Sequence, residues 1–384
     1  MTASLFPYFI DTTLRDGEQS PGVVFSLSEK IRISSLLNGA GVSELELGTP
    51  AMGEKEVEDI RTIARIGFNF KTLAWCRATK NDILMAARCG TNGVHLSFPI
   101  SPVLLEAMGK DRAWVTQQLH EMIDFALPLF DYVTVGAQDA SRADISYLKD
   151  FIGMADFNGA SRVRIADTVG ILNPLKTYKL IKDIRTVYKN IPLEIHAHND
   201  LGMAVANTVS AYLAGAECLS VTVNGLGERA GNAALEEVAM ALELSEEIDC
   251  GLKTEMFAQL SDYVAQASCR TLSESKPITG NKVLTHESGI HTNCLLKNRN
   301  TYQLFEAKRV GRTEQPFLLG KHSGRAALIY FLKEEKLPFT DDLCEKLLLN
   351  VKEKASELKR ALSKDEFYRL YLEIKTIKKT PICK

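Results

Sequence analysis

The chain has 384 residues, 45% of them hydrophobic and 24% charged, the mix of a soluble globular protein. At about 100–200 residues per domain, this length predicts one large domain with a smaller appendage. The 46 basic and 48 acidic residues leave a net charge of -2, so neither nucleic acid nor an anionic membrane is expected as a partner, and no apolar run of about 18 residues could cross a bilayer.

The first residues, MTASLFPYFIDTTLRDGEQ, have neither the basic nor the apolar region of a signal peptide. Cysteines stand at 76, 89, 218, 250, 269, 294, 344 and 383, without a CxxC pair. Scattered in this way, they read as reduced, mostly buried thiols of a cytoplasmic protein and not as a disulfide framework.

Along the first 247 residues, short β-rich runs alternate with helical patterns. The predicted strands are 8–12, 43–48, 70–76, 93–98, 132–137, 162–168, 193–198 and 218–224. Between them lie segments of helical period. SLSEKIRISSLLNGAG has Ser28 as its candidate N-cap and Gly39 or Gly41 as its stop, and another helix opens on Asn173 and Pro174. Strands alternating with helices of this length indicate parallel βαβ units, and eight of them match the size of a closed (β/α)8 TIM barrel. An open doubly wound sheet is the competitor, and the missing glycine-rich fingerprint after the first strand counts against it.

The two-residue period of a strand sorts side chains into two faces. Leu45 and Leu47 share one face, Glu44 and Glu46 the other. In the same way Val94, Leu96 and Phe98 oppose His95 and Ser97. Val133 and Val135 oppose Thr134, Gly136 and Gln138. Val163 and Ile165 oppose Arg164 and Thr168, while Leu193 and Ile195 oppose Glu194, His196 and His198. The apolar face must meet the helices, so the polar face points into the barrel. Barrel interiors are ordinarily filled by branched apolar residues, and a polar interior is costly unless its groups pair or bind something.

Three constellations carry chemistry. His196 and His198 close the seventh strand, about 7 Å apart along one face, and can converge on one ion. A bare HxH is more often a pair of structural histidines, but its place at the C-terminal end of a barrel strand favours a site. The matching end of the first strand carries Arg15, Asp16, Glu18 and Gln19: carboxylates for a divalent ion, an arginine for an anion and an amide. Taken alone, Arg15 and Asp16 could equally form a surface ion pair. Strands one, seven and eight are neighbours across the barrel closure, so both motifs can share a metal. After the eighth strand, Asn224-Gly225-Leu226-Gly227-Glu228-Arg229-Ala230-Gly231-Asn232 is either an anion-cradling loop or a flexible barrel-closing one.

With these residues in view, a family resemblance emerges. DTTLRDGEQSPG (11–22), HAHNDLG (196–202), NGLGERAGN (224–232), THESGIHTNCLLKNRNTYQLF (285–305) and LGKHSG (319–324) resemble the metal-dependent acyl-CoA Claisen-condensing barrel enzymes. These comprise the isopropylmalate, homocitrate and citramalate synthases. LGTPAMGE (47–54), LAWCRA (73–78), HLSFPIS (95–101) and RAGNAALEEVAMAL (229–242) look most like the nitrogen-fixation type of homocitrate synthase.

The resemblance implies Asp16, His196 and His198 as metal ligands, with Asn232 as a further ligand or near neighbour. The metal would be Mg²⁺ or Mn²⁺, with Zn²⁺ and Fe²⁺ compatible. It implies contacts from Arg15 and Gln19 to a 2-oxo acid, support of Arg15 by Glu46, and binding of the oxo acid's carboxylate by Thr168. His291 and Tyr302 would reach the active site from the C-terminal subdomain, supplied by the partner subunit of a homodimer with exchanged subdomains.

Two departures from the family pattern stand out. Gln138 occupies a position where the family usually has Glu, which leaves the acid–base work to His291 and Tyr302. Thr134 stands where some homocitrate synthases carry an arginine that reads the distal carboxylate, and Arg77, His95 and Arg164 are the candidates for that role here. The implied reaction condenses acetyl-CoA with 2-oxoglutarate to homocitrate and CoA. Its alternatives are another 2-oxo acid (oxaloacetate, pyruvate or 2-oxoisovalerate), a metal-dependent acyl-CoA lyase or aldolase such as the hydroxymethylglutaryl-CoA lyases, or a non-catalytic relative.

The barrel is predicted to occupy 1–265 and a linker or flap with a mostly helical C-terminal subdomain 266–384. A helix over 254–267 leads out of the barrel, and Pro277 and Gly280 break the pattern in 273–283. Beyond it, the lysine-rich run DDLCEKLLLNVKEKASELKRAL reads as a solvated helix face. The chain ends at Lys384, without the further regulatory domain of long isopropylmalate synthases, so leucine feedback through such a domain is not expected.

Overall fold

The computed structural model describes residues 6–314 and 316–377. It divides into two compact units, Met1–Leu272 and Ser273–Lys384. Eight strands build the first: β1 (Tyr8–Asp11), β2 (Glu44–Glu46), β3 (Lys71–Arg77), β4 (Gly93–Pro99), β5 (Tyr132–Gln138), β6 (Arg162–Asp167), β7 (Leu193–Ala197) and β8 (Cys218–Val221). Each is parallel to the next and β8 returns to β1, which closes the barrel. The TIM barrel read from the sequence is thus the fold observed.

The helices that cover the barrel are α1 (Leu27–Ala40), α2 (Glu54–Ala64), α3 (Lys80–Cys89), α4 (Pro102–Ala107), α5 (Arg112–Ala126), α6 (Ile145–Phe157), α7 (Pro174–Arg185), α8 (Ala204–Ala214) and α9 (Leu235–Ser245). Helix α10 (Phe257–Ala267) follows. The N-cap of α1 is Ser26, not Ser28: Ser26 accepts from the Glu29 amide while the Glu29 side chain accepts from the Ser26 amide, a capping box. Gly41, at φ 88°, stops the helix. Helix α7 opens on Asn173 as cap with Pro174 at its first position, as the sequence predicts.

The apolar strand faces, among them Leu45, Val94, Val133, Val163 and Leu193, are fully buried beneath these helices. Phe98 of β4 meets Phe151 of α6 edge-on at 5.9 Å. Where the strands end, the expectation needs small corrections. The seventh was read as continuing to 198, but β7 stops at Ala197, and His198 forms an isolated antiparallel bridge with Asn232.

Inside the barrel the polar faces pair in a continuous ladder. The Tyr8 hydroxyl donates to Glu44 at 2.9 Å. Arg162 bridges Glu44 (2.6 Å) and Glu194 (2.8 Å), and Arg164 bridges Glu194 (2.5 Å) and Glu46 (2.6 Å). Glu46 also accepts from Arg15, whose other arm reaches Asp16 at 2.7 Å. The Arg and Glu side chains of this ladder are all at least nine-tenths buried. Register makes it possible, because Arg164 and Glu194 are cross-strand partners of β6 and β7.

The second unit contains helices α11 (Gly289–Leu295), α12 (Arg325–Glu334), α13 (Asp341–Leu358) and α14 (Lys364–Ile377). Its core gathers Leu319, Leu328, Leu332, Leu347, Val351 and Phe367. Helix α13 buries Leu343, Leu347 and Val351 and turns its charged residues outward, the solvated face expected of that run. The division falls after Leu272 and not after 265, because α10 and its cap continue to Ser268 and Arg270 is tied back to the Pro21 carbonyl at 2.5 Å. Among the described residues no helix is long and apolar enough to cross a membrane. The seven described cysteines are free thiols, and Cys383 lies outside the described residues.

Glu194 holds two guanidiniums at once, so its removal should be severe. Glu194→Ala is expected to destabilise the barrel by about 3–5 kcal/mol, because buried Arg162 and Arg164 each lose a counter-charge. Chemical denaturation measures this, and a loss below about 1 kcal/mol would show that the ladder is not holding the fold.

Candidate active site

The C-terminal mouth of the barrel begins at the turn after β1. Here the amides of Arg15, Asp16 and Gly17 all point at the Thr12 carbonyl, within 2.8–3.1 Å, which winds residues 13–17 into a wide helical turn. Asp11 fixes its start by accepting the Thr13 amide at 2.9 Å and the Thr13 hydroxyl at 3.0 Å. The Thr13 hydroxyl oxygen accepts the Val223 amide at 2.9 Å, so the ends of β1 and β8 are tied together. Burial raises the Asp11 carboxyl from 3.8 to about 7.

Arg15 is aimed by Glu46 and Asp16 and lies over the Trp75 ring, 5.5 Å from its centroid. Burial alone would raise the Glu46 carboxyl, but Arg15 and Arg164 on either side hold it well below the usual carboxylate range. Asp16 is likewise held low, against its burial, above all by the Arg15 guanidinium, with help from the Asn232 amide.

Across the mouth, the His196 and His198 Nε2 atoms are 3.2 Å apart, and Asp16 Oδ2 lies 3.6 and 3.9 Å from them. Burial lowers both imidazoles, so they are neutral at neutral pH. His196 Nδ1 is paired with the Ser220 hydroxyl at 2.8 Å, which leaves Nε2 as the atom facing the group. One of these Nε2 atoms can donate to the other, and the two, beside an ionised carboxylate, converge as a donor set suited to a divalent cation. Asn232 donates to Asp16 at 2.7 Å and to the Leu226 carbonyl at 3.0 Å, while its buried Oδ1 has no partner. The residues therefore fit a metal: Asp16, His196 and His198 would hold it, with Asn232 Oδ1 adjacent. One carboxylate and two imidazoles suit Mg²⁺, Mn²⁺, Fe²⁺ or Zn²⁺ alike.

These groups open on a cavity of about 270 Å³. Arg15, Asp16, Gln19, His95, Gln138 and Arg164 lie on its walls, and so do Thr168, His196 and His198. Glu46 and Thr134 stand one layer back. Glu46 holds Arg15 and Arg164, and Thr134 is paired with His95 Nδ1 at 2.9 Å. Arg77 is taken up elsewhere, in a two-armed pair with Asp82 (2.8 and 3.0 Å) that α3 presents beside it. His291 and Tyr302 belong to the second unit, where their rings stack at 4.0 Å.

Sequence reasoning passed over Trp75, Ser97, Gly136 and Ala166 on the walls, and over the work of Arg229. Ser97 and Gly136 share faces already assigned inward, so that signal was present. Arg229 pairs with Asp200 at 2.7 Å and donates to the Thr168 carbonyl at 2.7 Å, joining the loops after β6, β7 and β8. Its loop folds back on itself through the Asn232 amide and the Gly225 carbonyl (2.9 Å), and so presents Asn232.

Added Mn²⁺ should raise the melting temperature of the parent protein and not that of Asp16→Asn, since a ligand that binds only the folded state stabilises it. Equal shifts in both would remove Asp16 from the ligand set. A pH dependence follows from Asp11. Its raised folded value makes the native state bind the extra proton between about 4 and about 7, so this contribution to stability falls as pH rises through that window. Asp11→Asn should gain on the parent across that window and level off above it. Parallel stability curves would mean that Asp11 titrates like an exposed carboxyl.

The HMGL-like family model matches residues 7–264, and the model described as homocitrate synthase post-HMGL domain-like matches 278–376. The chain is 45% identical to 2-isopropylmalate synthase 2 of Caldanaerobacter subterraneus over 96% of its own length and 95% of the relative's. It is 42% identical to homocitrate synthase 1 of a Nostoc species, over 94% and 96% of the two chains. Among solved structures, the HMG-CoA lyase of Bacillus subtilis shares the fold at a TM-score of 0.63 and 18% identity, covering 71% of this chain and 97% of that one. The chain belongs to the HMGL-like family, in its isopropylmalate and homocitrate synthase branch.

Proposed function

We propose that the protein is an acyltransferase that condenses acetyl-CoA with a 2-oxo acid, and that the oxo acid is 2-oxoglutarate, giving homocitrate and CoA. The observation that carries this reading is the Asp16, His196 and His198 group, suited to a metal, at the mouth of a cavity whose walls, among the described residues, include no branched aliphatic side chain. A 2-oxoisovalerate site would be expected to meet its isopropyl group with Val, Leu or Ile. His95, Ser97, Gln138 and Arg164 suit a second carboxylate better. The second reading, 2-oxoisovalerate, rests on the 45% identical relative's name.

In this scheme the methyl group of acetyl-CoA loses a proton, its carbon attacks the ketone, and water then cleaves the thioester to release CoA. A bound divalent ion would polarise the ketone and offset the charge that develops on its oxygen. Arg15, with Nε and Nη1 engaged by Glu46 and Asp16, offers Nη2 to the oxo acid. The Thr168 hydroxyl oxygen already accepts the Asp139 amide at 2.9 Å, so its proton is available to the carboxylate. His291, steadied by its stack with Tyr302, takes the methyl proton. The homodimer we infer exchanges C-terminal subdomains, so that these two rings serve the partner subunit's barrel.

Thiol release from acetyl-CoA with Mg²⁺ or Mn²⁺ and a panel of oxo acids tests the substrate. We expect 2-oxoglutarate to exceed oxaloacetate, pyruvate and 2-oxoisovalerate by about tenfold or more in kcat/KM. A different winner overturns the choice of acid, and no release with any of them overturns the synthase. Subunit exchange is tested by mixing inactive Asp16→Ala and His291→Ala proteins after reversible dissociation. Recovered activity supports it, because one composite site per mixed dimer is intact. No recovery from verified mixed dimers counts against it.

A further inference from the structure

The LGKHSG motif has no place in the chemistry described so far, yet it lies against the segment that carries His291. The His286 amide donates to the Pro316 carbonyl at 2.8 Å and the Leu318 amide to the His286 carbonyl at 3.0 Å, so the two segments pair like short strands. Farther along, the Gly289 amide donates to the His322 carbonyl at 3.0 Å, and the His322 amide to Glu287 Oε1 at 3.0 Å. The Ser323 hydroxyl closes the turn from within. It accepts the Gly320 amide at 2.9 Å and lies 3.1 Å from the Leu318 carbonyl.

The fit leaves no slack. A Cβ on Gly289 would lie 2.8 Å from the backbone of Gly324, and a Cβ on Gly324 would lie 2.9 Å from Gly289 Cα. At Gly320 the added atom would meet the Glu287 carboxylate at 2.5 Å. The turn is itself anchored, because Leu319 on one side and Ala327 and Leu328 on the other belong to the core of the second unit. The Leu362 amide also donates to the Leu319 carbonyl at 2.8 Å. A continuous path of backbone contacts thus runs from that core through the turn to Gly289, the first residue of α11, two residues before His291.

We propose that the Gly320–Gly324 turn is the mount of His291. Through Glu287, Gly289 and Gly324 it sets where the imidazole stands, and so governs proton removal and not the binding of either substrate. Glu287 is a positioning residue in this scheme: its acceptor oxygen holds the His322 amide, and its charge takes no part in the reaction. The proposal rests on His291 as the proton acceptor.

Steady-state kinetics of Glu287→Ala, Glu287→Gln, Gly324→Ala and His291→Ala, at temperatures where circular dichroism shows each folded, tests it. Glu287→Ala and Gly324→Ala should lose about 10- to 100-fold in kcat, with KM for acetyl-CoA and the oxo acid within about threefold of the parent. Glu287→Gln keeps an acceptor oxygen and should retain most of kcat. Unchanged kcat in Glu287→Ala, a change confined to KM, or an equal loss in Glu287→Gln overturns the mount. Should Gly324→Ala fail to fold, the two Glu287 variants decide. Full turnover in His291→Ala overturns the assignment of His291 and the mount with it, whereas loss there with unchanged Glu287→Ala overturns the mount alone.

Discussion

Three guanidiniums buried in the barrel must each find a counter-charge, and the architecture of the mouth follows from how they do. Arg162, Arg164 and Arg15 alternate with Glu44, Glu194, Glu46 and Asp16, so that each arginine lies between two carboxylates. An unpaired charge at these depths would cost several kcal/mol, so no member can swing away by itself. Arg15 is therefore held with its direction fixed by Glu46 and Asp16, which pre-orients it for whatever occupies the cavity. The ladder also spans the barrel from Tyr8 near its base to Asp16 at its mouth, and couples the packing of the interior to the geometry of the candidate metal site.

The same groups set the charge of the site. Four carboxylates against three guanidiniums leave the ladder one negative charge in excess, which suits it to a divalent cation. With that cation in place the balance turns positive and favours an anionic acid. The overall net charge of -2 conceals this local reversal. Any preference for anions at this mouth would thus depend on the metal, and is no standing property of the surface.

Much of this was legible in the sequence because strands alternate. All eight strands and the inward direction of Glu46, His95, Arg164 and His196 follow from the two-residue period. Pairings such as Arg162 with Glu44 were not legible, because they join residues 118 apart through a register that one sequence does not reveal. Thr134 faces inward by the alternation of its strand, but strand direction cannot say whether an inward side chain reaches the cavity or stops beneath a neighbour, here His95. Arg77 was lost to Asp82, only five residues away, a partner visible in the sequence. Ser28 was preferred to Ser26 as a cap although Glu29 completes the S-x-x-E box only with Ser26. The second unit was read through short motifs, which name His291 and Tyr302 without showing that their rings stack.

Gly136 has a bearing on how the pocket could change in evolution. A Cβ there would sit 2.5 Å from His95 Nε2, so the imidazole at 95 and any side chain at 136 compete for one volume. The two positions constrain each other: a side chain at 136 requires the His95 imidazole to move or to be replaced by a smaller group. Change at this wall therefore does not proceed through position 136 alone. Room at 136 comes from a smaller or displaced residue at 95, and a chain that had made only that change would carry an enlarged pocket.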